Sequence, residues 1–198
     1  MPYTVALDTD NNLIDLEDAK TAIGIDLGDR TQDNKLHQLI NGASWAANSI
    51  TKRKLKSRTL TEHYSGDGTN ELFTNQYPIT TLTSVHDDLA RAYGSDTLVD
   101  SDDLAIMPND LAYKIVYDGG AFSKGIKNLK VVYIAGYITI PWDLAQAVIE
   151  IVMFGWNQRD KGYLGVISQQ LADGSIQLAA ADMPKSAKDI LNIYKKKW

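Results

Sequence analysis

The residues able to do chemistry fall into a few short stretches. In "DTDNN", Asp8, Asp10 and Asn12 stand at the first, third and fifth places of a calcium loop, where alternate oxygen ligands converge on one hard cation. That loop also needs glycine at its sixth place and a bidentate glutamate at its twelfth, where this chain has Leu13 and Ala19. A polar turn ahead of a helix is the reading that survives. His86, Asp87 and Asp88 in "SVHDD" are metal-ligand types, but His37 and His63 have no partner motif at a ligand spacing. "GDGTNE", Gly66 to Glu71, has two glycines of a dinucleotide fingerprint without the third, and it lies between strand patterns, so it reads as a hairpin turn.

Nucleophilic chemistry has no better support. The chain has no cysteine, which removes thiolate nucleophiles, zinc–thiolate sites and disulfides together. It has no G-x-S-x-G, H-E-x-x-H or Walker A pattern, and scattered Ser, His and Asp assign no role without one. The sequence therefore predicts a protein that is not an enzyme, with no catalytic residues, no cofactor and no metal. The basic run "KRKLKSR", Lys52 to Arg58, has phosphate-binding residue types. Without interleaved aromatics it reads as a helix end leading into a turn. The tail "YKKKW" suits an acidic or aromatic-lined groove on a partner, and equally a solvated terminus.

The elements that must carry these residues are legible from periodicity. "DLEDAKTAIGI" predicts a short helix with Asp15 as N-cap, Leu16, Ala19 and Ile23 on one face, and Gly24 as its stop. A longer helix follows, capped by Asp33, with Leu36, Leu39, Ile40, Ala43, Ala47 and Ile50 at the spacing of one buried stripe. From Thr59 the pattern becomes "TLTEHY", "NELFT", "LTSVHD", "LAYKIVY" and "LKVVYIAGY", short β-branched and aromatic runs separated by turn residues. An apolar helix then opens at Pro141, with Asp143 as cap, and runs to about Lys161. Between Gly162 and Met183 a "DG" signal at Asp173 and Gly174 predicts a turn between short strands. "PKSAKDILNIYKKKW" closes the chain as a helix with Ala187, Ile190, Leu191 and Tyr194 facing inward.

Helices at both ends and strands between them predict an α+β fold. Residues 1–58 and 138–198 form a small helical bundle, and residues 59–137 form an inserted antiparallel β region. The 198 residues suffice for such a body with one insertion. The net charge of −5 is uneven: Thr59 to Asp118 holds eleven acids against Arg91 and Lys114, a net of −9. An acidic middle repels nucleic-acid phosphates. "MPYTVALDTDNN" has neither a basic n-region nor an apolar h-region, so cytoplasmic synthesis without a secretory signal is expected. No membrane span is expected either, because the run Leu144 to Trp156 is too short and Glu150 interrupts it.

That last run raises the sharpest question, since Glu150 is its only charge between Asp143 and Arg159. A helix so apolar must be covered nearly all round. A four-helix bundle covers part of it, and the remainder, including Val152, Met153 and Trp156, is expected to face a second subunit.

Several stretches, in order, resemble the head–tail connector, or head-completion adaptor, proteins of tailed bacteriophages. They are "LEDAKTAIGI", "LHQLINGAS", "TEHYSGDG", "YPITTLTSV", "VVYIAGYITIPWDLAQA" and the closing "ILNIY" after Pro184. Tyr133, Ala135, Gly136, Tyr137, Pro141, Asp143 and Leu144 form the most specific part. The resemblance implies a structural virion protein at the head–tail junction. About twelve copies would form a homo-oligomeric ring under the portal protein, extend the DNA channel and dock the next neck or tail-completion protein. DNA would pass without sequence-specific binding. Trp142, Met153 and Trp156 are the subunit-interface candidates, and Asp102 and Asp103 the channel-facing acids. Two other readings remain open: a tail-side adaptor or terminator ring, commonly six-fold, and a small ligand-binding β module using Tyr93, Tyr113 and Tyr117 on one sheet face.

Overall fold

The computed structural model describes residues 4–107, 113–160, 168–171, 174–177 and 183–196. The fold is α+β, with four α-helices and antiparallel sheets among the described residues. The chain divides into two compact units, Met1–Lys52 with Ile140–Trp198, and Arg53–Thr139.

The first unit is a bundle of α1 (Leu16–Ile23), α2 (Asp33–Thr51), α3 (Trp142–Asp160) and α4 (Lys185–Ile193). Asp15 precedes α1 as N-cap, and its N–H donates to the Asp18 carboxylate at 3.0 Å, one half of a capping box. Gly24 ends the helix at φ 80°, its N–H reaching the Lys20 and Thr21 carbonyls. The N-cap of α2 is Gln32 and not Asp33. The Asp33 carboxylate is engaged elsewhere: the Lys20 ammonium, buried at 2% exposure, sits 2.6 Å from it and also donates to the Asp29 carbonyl at 2.7 Å. A lysine on the core side of α1 was not expected from periodicity; it ties α1, the following loop and α2 together.

In α3, Leu144, Ala147, Val148 and Val152 are buried, the i, i+3, i+4, i+8 face of one helix. Between Leu144 and Trp156 only Gln146 is exposed. Val152, expected at a subunit contact, is 1% exposed within its own chain, because α1, α2 and α4 all pack on α3. The α3 backbone comes close to α2 at Gly155, where a Cβ would stand 2.9 Å from a Leu39 methyl. Asp143 lies inside the first turn; it accepts from the Leu144 N–H at 2.9 Å and from the Tyr194 hydroxyl at 2.6 Å. Strands β7 (Ser168–Leu171) and β8 (Gly174–Gln177) pair antiparallel on either side of the predicted turn. The rest of the Gly162 to Met183 prediction, up to Asp182, lies outside the described residues, as do Lys197 and Trp198 of the tail.

The second unit holds β1 (Arg58–Tyr64), β2 (Glu71–Phe73), β3 (Ile79–Asp87), β4 (Leu104–Ile106), β5 (Lys114–Tyr117) and β6 (Leu129–Ala135). They form two sheets, ordered β1-β6-β3 and β2-β5-β4. Leu129, Val131, Tyr133 and Ala135 alternate along β6 and are fully buried; with Leu72, Val85, Ile115 and Phe122 they make a core shared by both sheets. "GDGTNE" is therefore not a hairpin turn. β1 pairs with β6 and β2 with β5, so the loop crosses from one sheet to the other. Gly66 is packed tightly in that crossing, where a Cβ would lie 2.0 Å from the Ser123 carbonyl oxygen. β4, which no sequence pattern marked, pairs with β5.

Candidate functional site

Among the described residues, no group of three or more His, Asp or Glu stands close enough to hold a metal ion. His86 Nδ1 donates to the Gly94 carbonyl at 3.2 Å, His37 Nδ1 donates to the Val5 carbonyl at 2.8 Å, and His63 packs its ring on Tyr93. The acids of "SVHDD" are turn builders. Asp88 accepts from the N–H groups of Ala90, Ala92 and Tyr93 at 2.7–2.8 Å. These bonds, Tyr93 foremost, hold its carboxyl below the usual range. Asp87, the last residue of β3, takes the Ser123 N–H and the Asn128 side-chain amide, tying the end of that strand to the loop before β6. Asp8 of "DTDNN" likewise accepts from Asn11, Asp10 and the Trp45 indole, and the Asn11 side chain leads in lowering its pKa.

The most closely coupled polar cluster is Glu62, Tyr64 and Tyr133. Both phenols donate to Glu62 Oε2, Tyr133 at 2.5 Å, and the Tyr64 hydroxyl accepts from the Asn75 N–H at 2.9 Å. Burial, then the Glu62 carboxylate, pushes both phenols far above their ordinary range and keeps them protonated. Tyr64 also lines a small pocket of about 180 Å³ with Ser65, Glu71 and Phe122, but the three polar groups bond to one another, and the cluster ties β1, β6 and the loop after β2.

The basic run is largely structural as well. Lys52 ends α2 in the left-handed conformation at φ 55°. The Arg53 guanidinium is buried, stacked 3.6 Å over the Tyr77 ring, and donates to the Tyr77 carbonyl. The three tyrosines of the ligand-module reading do not share a sheet face. Tyr93 lies in a loop with its hydroxyl on the Lys127 carbonyl, Tyr113 packs on Phe73 and Tyr77, and Tyr117 packs on Phe122.

The interface candidates are placed as follows. Trp142 opens α3 with 89% of its surface exposed. The Tyr194–Asp143 bond brings the end of α4 to the same place, where Ile193 is also exposed. Met153 and Trp156 are half-buried, and the Lys35 ammonium lies 3.8 Å from the centre of the Trp156 ring. Asp102 is exposed in a 3₁₀ turn, Ser101–Asp103, that the Asp100 side chain caps. Asp103 is half-buried, and its carboxylate crowds Gly119. Sequence reasoning missed the exposed aliphatics Leu89, Ile126, Ile138 and Ile193, since isolated apolar residues in loops and at helix ends leave no periodic signal. It also missed a groove of about 700 Å³ between β3 and the 95–106 segment, with Thr81, Thr83, Leu98, Asp100, Leu104 and Ile106 on its walls.

No curated protein matches the chain in sequence. Among solved structures, the fold is similar to a chain in the neck of an empty gene transfer agent particle computed with C6 symmetry, at a TM-score of 0.64 and 17% identity, covering 98% of this chain and 94% of that one. A chain in the neck of the native particle computed with C12 symmetry gives a TM-score of 0.63 at 18% identity, covering 98% and 94%. One in the virion of the native particle gives 0.62 at 18%, covering 96% and 92%. At these identities the likeness is one of fold. The sequence model for head completion proteins, by contrast, matches residues 12–197, nearly the whole chain. This protein belongs to the head completion protein family.

Proposed function

We propose that this chain is a structural, non-enzymatic ring component at the head–tail junction of a phage-like particle. About twelve copies assemble under the portal protein, extend the DNA channel and dock the next neck or tail-completion protein. The observation that carries this reading is the near full-length family match, joined to a fold shared along its whole length with chains in particle necks, one of them computed with C12 symmetry. The helical unit forms the body, and the β unit is its insertion.

The apolar residues left over by the bundle support an assembly role. Trp142 and Ile193 stand exposed at one end of the bundle, and Met153 and Trp156 are only half covered. Heterologous contacts in a closed ring bury one patch against a different patch of the neighbour. Asp102 is the better placed of the two lumen candidates, because it is exposed while Asp103 is half-buried beside Gly119. A channel that must release DNA gains from carboxylates that repel phosphate.

Light scattering on the purified chain over a wide concentration range tests the reading, with Trp156→Asp in parallel. A species near twelve subunits that Trp156→Asp dissolves into folded monomers is expected. A six-subunit species would favour the tail-side ring instead. Charge reversal at Asp102 that leaves DNA retention and ejection unchanged would remove it from the channel wall.

A further inference from the structure

The sheet β1-β6-β3 has two edges, and they are finished differently. β1 pairs with β6 over seven successive positions, from Arg58 opposite Ala135 to Tyr64 opposite Leu129, without a register shift. It contains no proline, and among the described residues no strand pairs with its outer side. A regular edge of this length is a template for another strand, and proteins ordinarily blunt or cover it. At the opposite edge β3 shifts register between Ile79 and Thr81 and between Leu82 and Ser84. Its far end is covered, since the Val99 N–H donates to the Val85 carbonyl at 2.9 Å and His86 bridges Leu98. What remains open is the stretch Thr80–Ser84, which forms one wall of the groove whose other wall is Leu98–Ser101, Leu104 and Ile106.

We propose that β1 of one copy docks along the β3 groove of the next, joining the sheets of neighbouring copies edge to edge. This inference rests on the ring reading above and names the contact that builds the ring. Three features fit a second copy as occupant. The two edges lie on opposite sides of one sheet, as a head-to-tail contact between identical copies requires. β1 and β3 both run antiparallel to β6, hence parallel to each other, so copies related by a modest rotation present them as parallel neighbours. The segment leading into β1 is basic, with Lys54, Lys56 and Arg58 half-buried, whereas Asp96, Asp100 and Asp102 flank the groove, so the entry to one edge and the rim of the other differ in charge. The main-chain hydrogen bonds of an added strand supply affinity, and the groove walls supply selectivity.

The absence of cysteine makes the test direct. Thr61 in β1 and Thr83 in β3 are both exposed, so Thr61→Cys and Thr83→Cys leave the core intact. The two variants are mixed and treated with a short bis-maleimide. Thr61→Cys mixed with Gln146→Cys, on an exposed position of α3, serves as the collision control. The expected result is a Thr61–Thr83 cross-linked dimer several-fold above the control and above either variant alone, and a ladder of higher species when one chain carries both substitutions. Thr61→Cys cross-linking to itself would overturn the proposal in favour of a two-fold edge pairing. An oligomer by light scattering without the mixed cross-link would overturn it while leaving the ring standing, and would point the β1 edge toward a strand from another neck protein. A chain that is monomeric at every concentration, with no cross-link, would overturn the edge-to-edge contact and leave the ring reading only as assembly templated by the portal.

Discussion

Replacing Trp142 with alanine separates assembly from folding. Its side chain keeps 89% of its surface in water at the start of α3, so the folded monomer draws little from it. A surface truncation of that kind shifts unfolding free energy by no more than about 0.5 kcal/mol. If a neighbouring copy covers the indole, about 200 Å² leaves water, and at roughly 25 cal/mol per Å² the upper bound is about 5 kcal/mol. Side-chain ordering and desolvation of the indole N–H offset part of this, and truncated interface tryptophans fall at about 2–4 kcal/mol. Each contact should weaken roughly 30- to 700-fold, at about 1.4 kcal/mol per tenfold. Sedimentation velocity over a concentration series reads the shift in assembly, and urea unfolding of the same sample reads the monomer. An unchanged assembly midpoint would take Trp142 out of the interface. A large loss of monomer stability would contradict its exposure.

Other expectations concern the supports of the fold. Lys20→Met leaves the Asp33 carboxylate without its 2.6 Å ammonium partner and frees the Asp29 carbonyl; it should cost about 3 kcal/mol in urea unfolding, and a Lys20→Met, Asp33→Leu double variant should regain part of that loss. Gly136 combines φ 104° with a Cβ position 2.7 Å from the Lys56 carbonyl oxygen, so Gly136→Ala should destabilise by about 2–4 kcal/mol, seen as a lowered urea midpoint. Asp88 has a folded pKa below its unfolded value, so its contribution is present above about pH 4 and is lost as pH falls through the folded pKa. Amide exchange at Ala90, Ala92 and Tyr93 should accelerate relative to β6 in that acid range. Asp88→Asn should show the acceleration already at neutral pH, and equal protection in both proteins would refute the capping role.

What the sequence by itself determined is what local chemistry determines. Asp15 and Gly24 bound α1, the apolar spacing from Leu36 to Ile50 marks α2, and the Pro184 to Tyr194 stretch forms α4 with Ala187 and Leu191 buried, because caps, turns and helical stripes are written within a few residues of one another. The order of short stretches from "LEDAKTAIGI" to "ILNIY" carried the family for the same reason, since it survives without knowledge of which strand meets which.

Only the tertiary structure decided the strand partners. β1 lies beside β6, some seventy residues on, and not beside β2, although "GDGTNE" has the composition of a hairpin turn. Strand pairing is chosen by the shared core around Tyr133 and Ile115, and no local signal encodes it. The buried charge of Lys20, the capture of Asp33 away from its capping position and the burial of Val152 inside its own bundle follow from the same cause. Each depends on a neighbour distant in sequence, so residue type and spacing alone could narrow the possibilities, and packing chose among them.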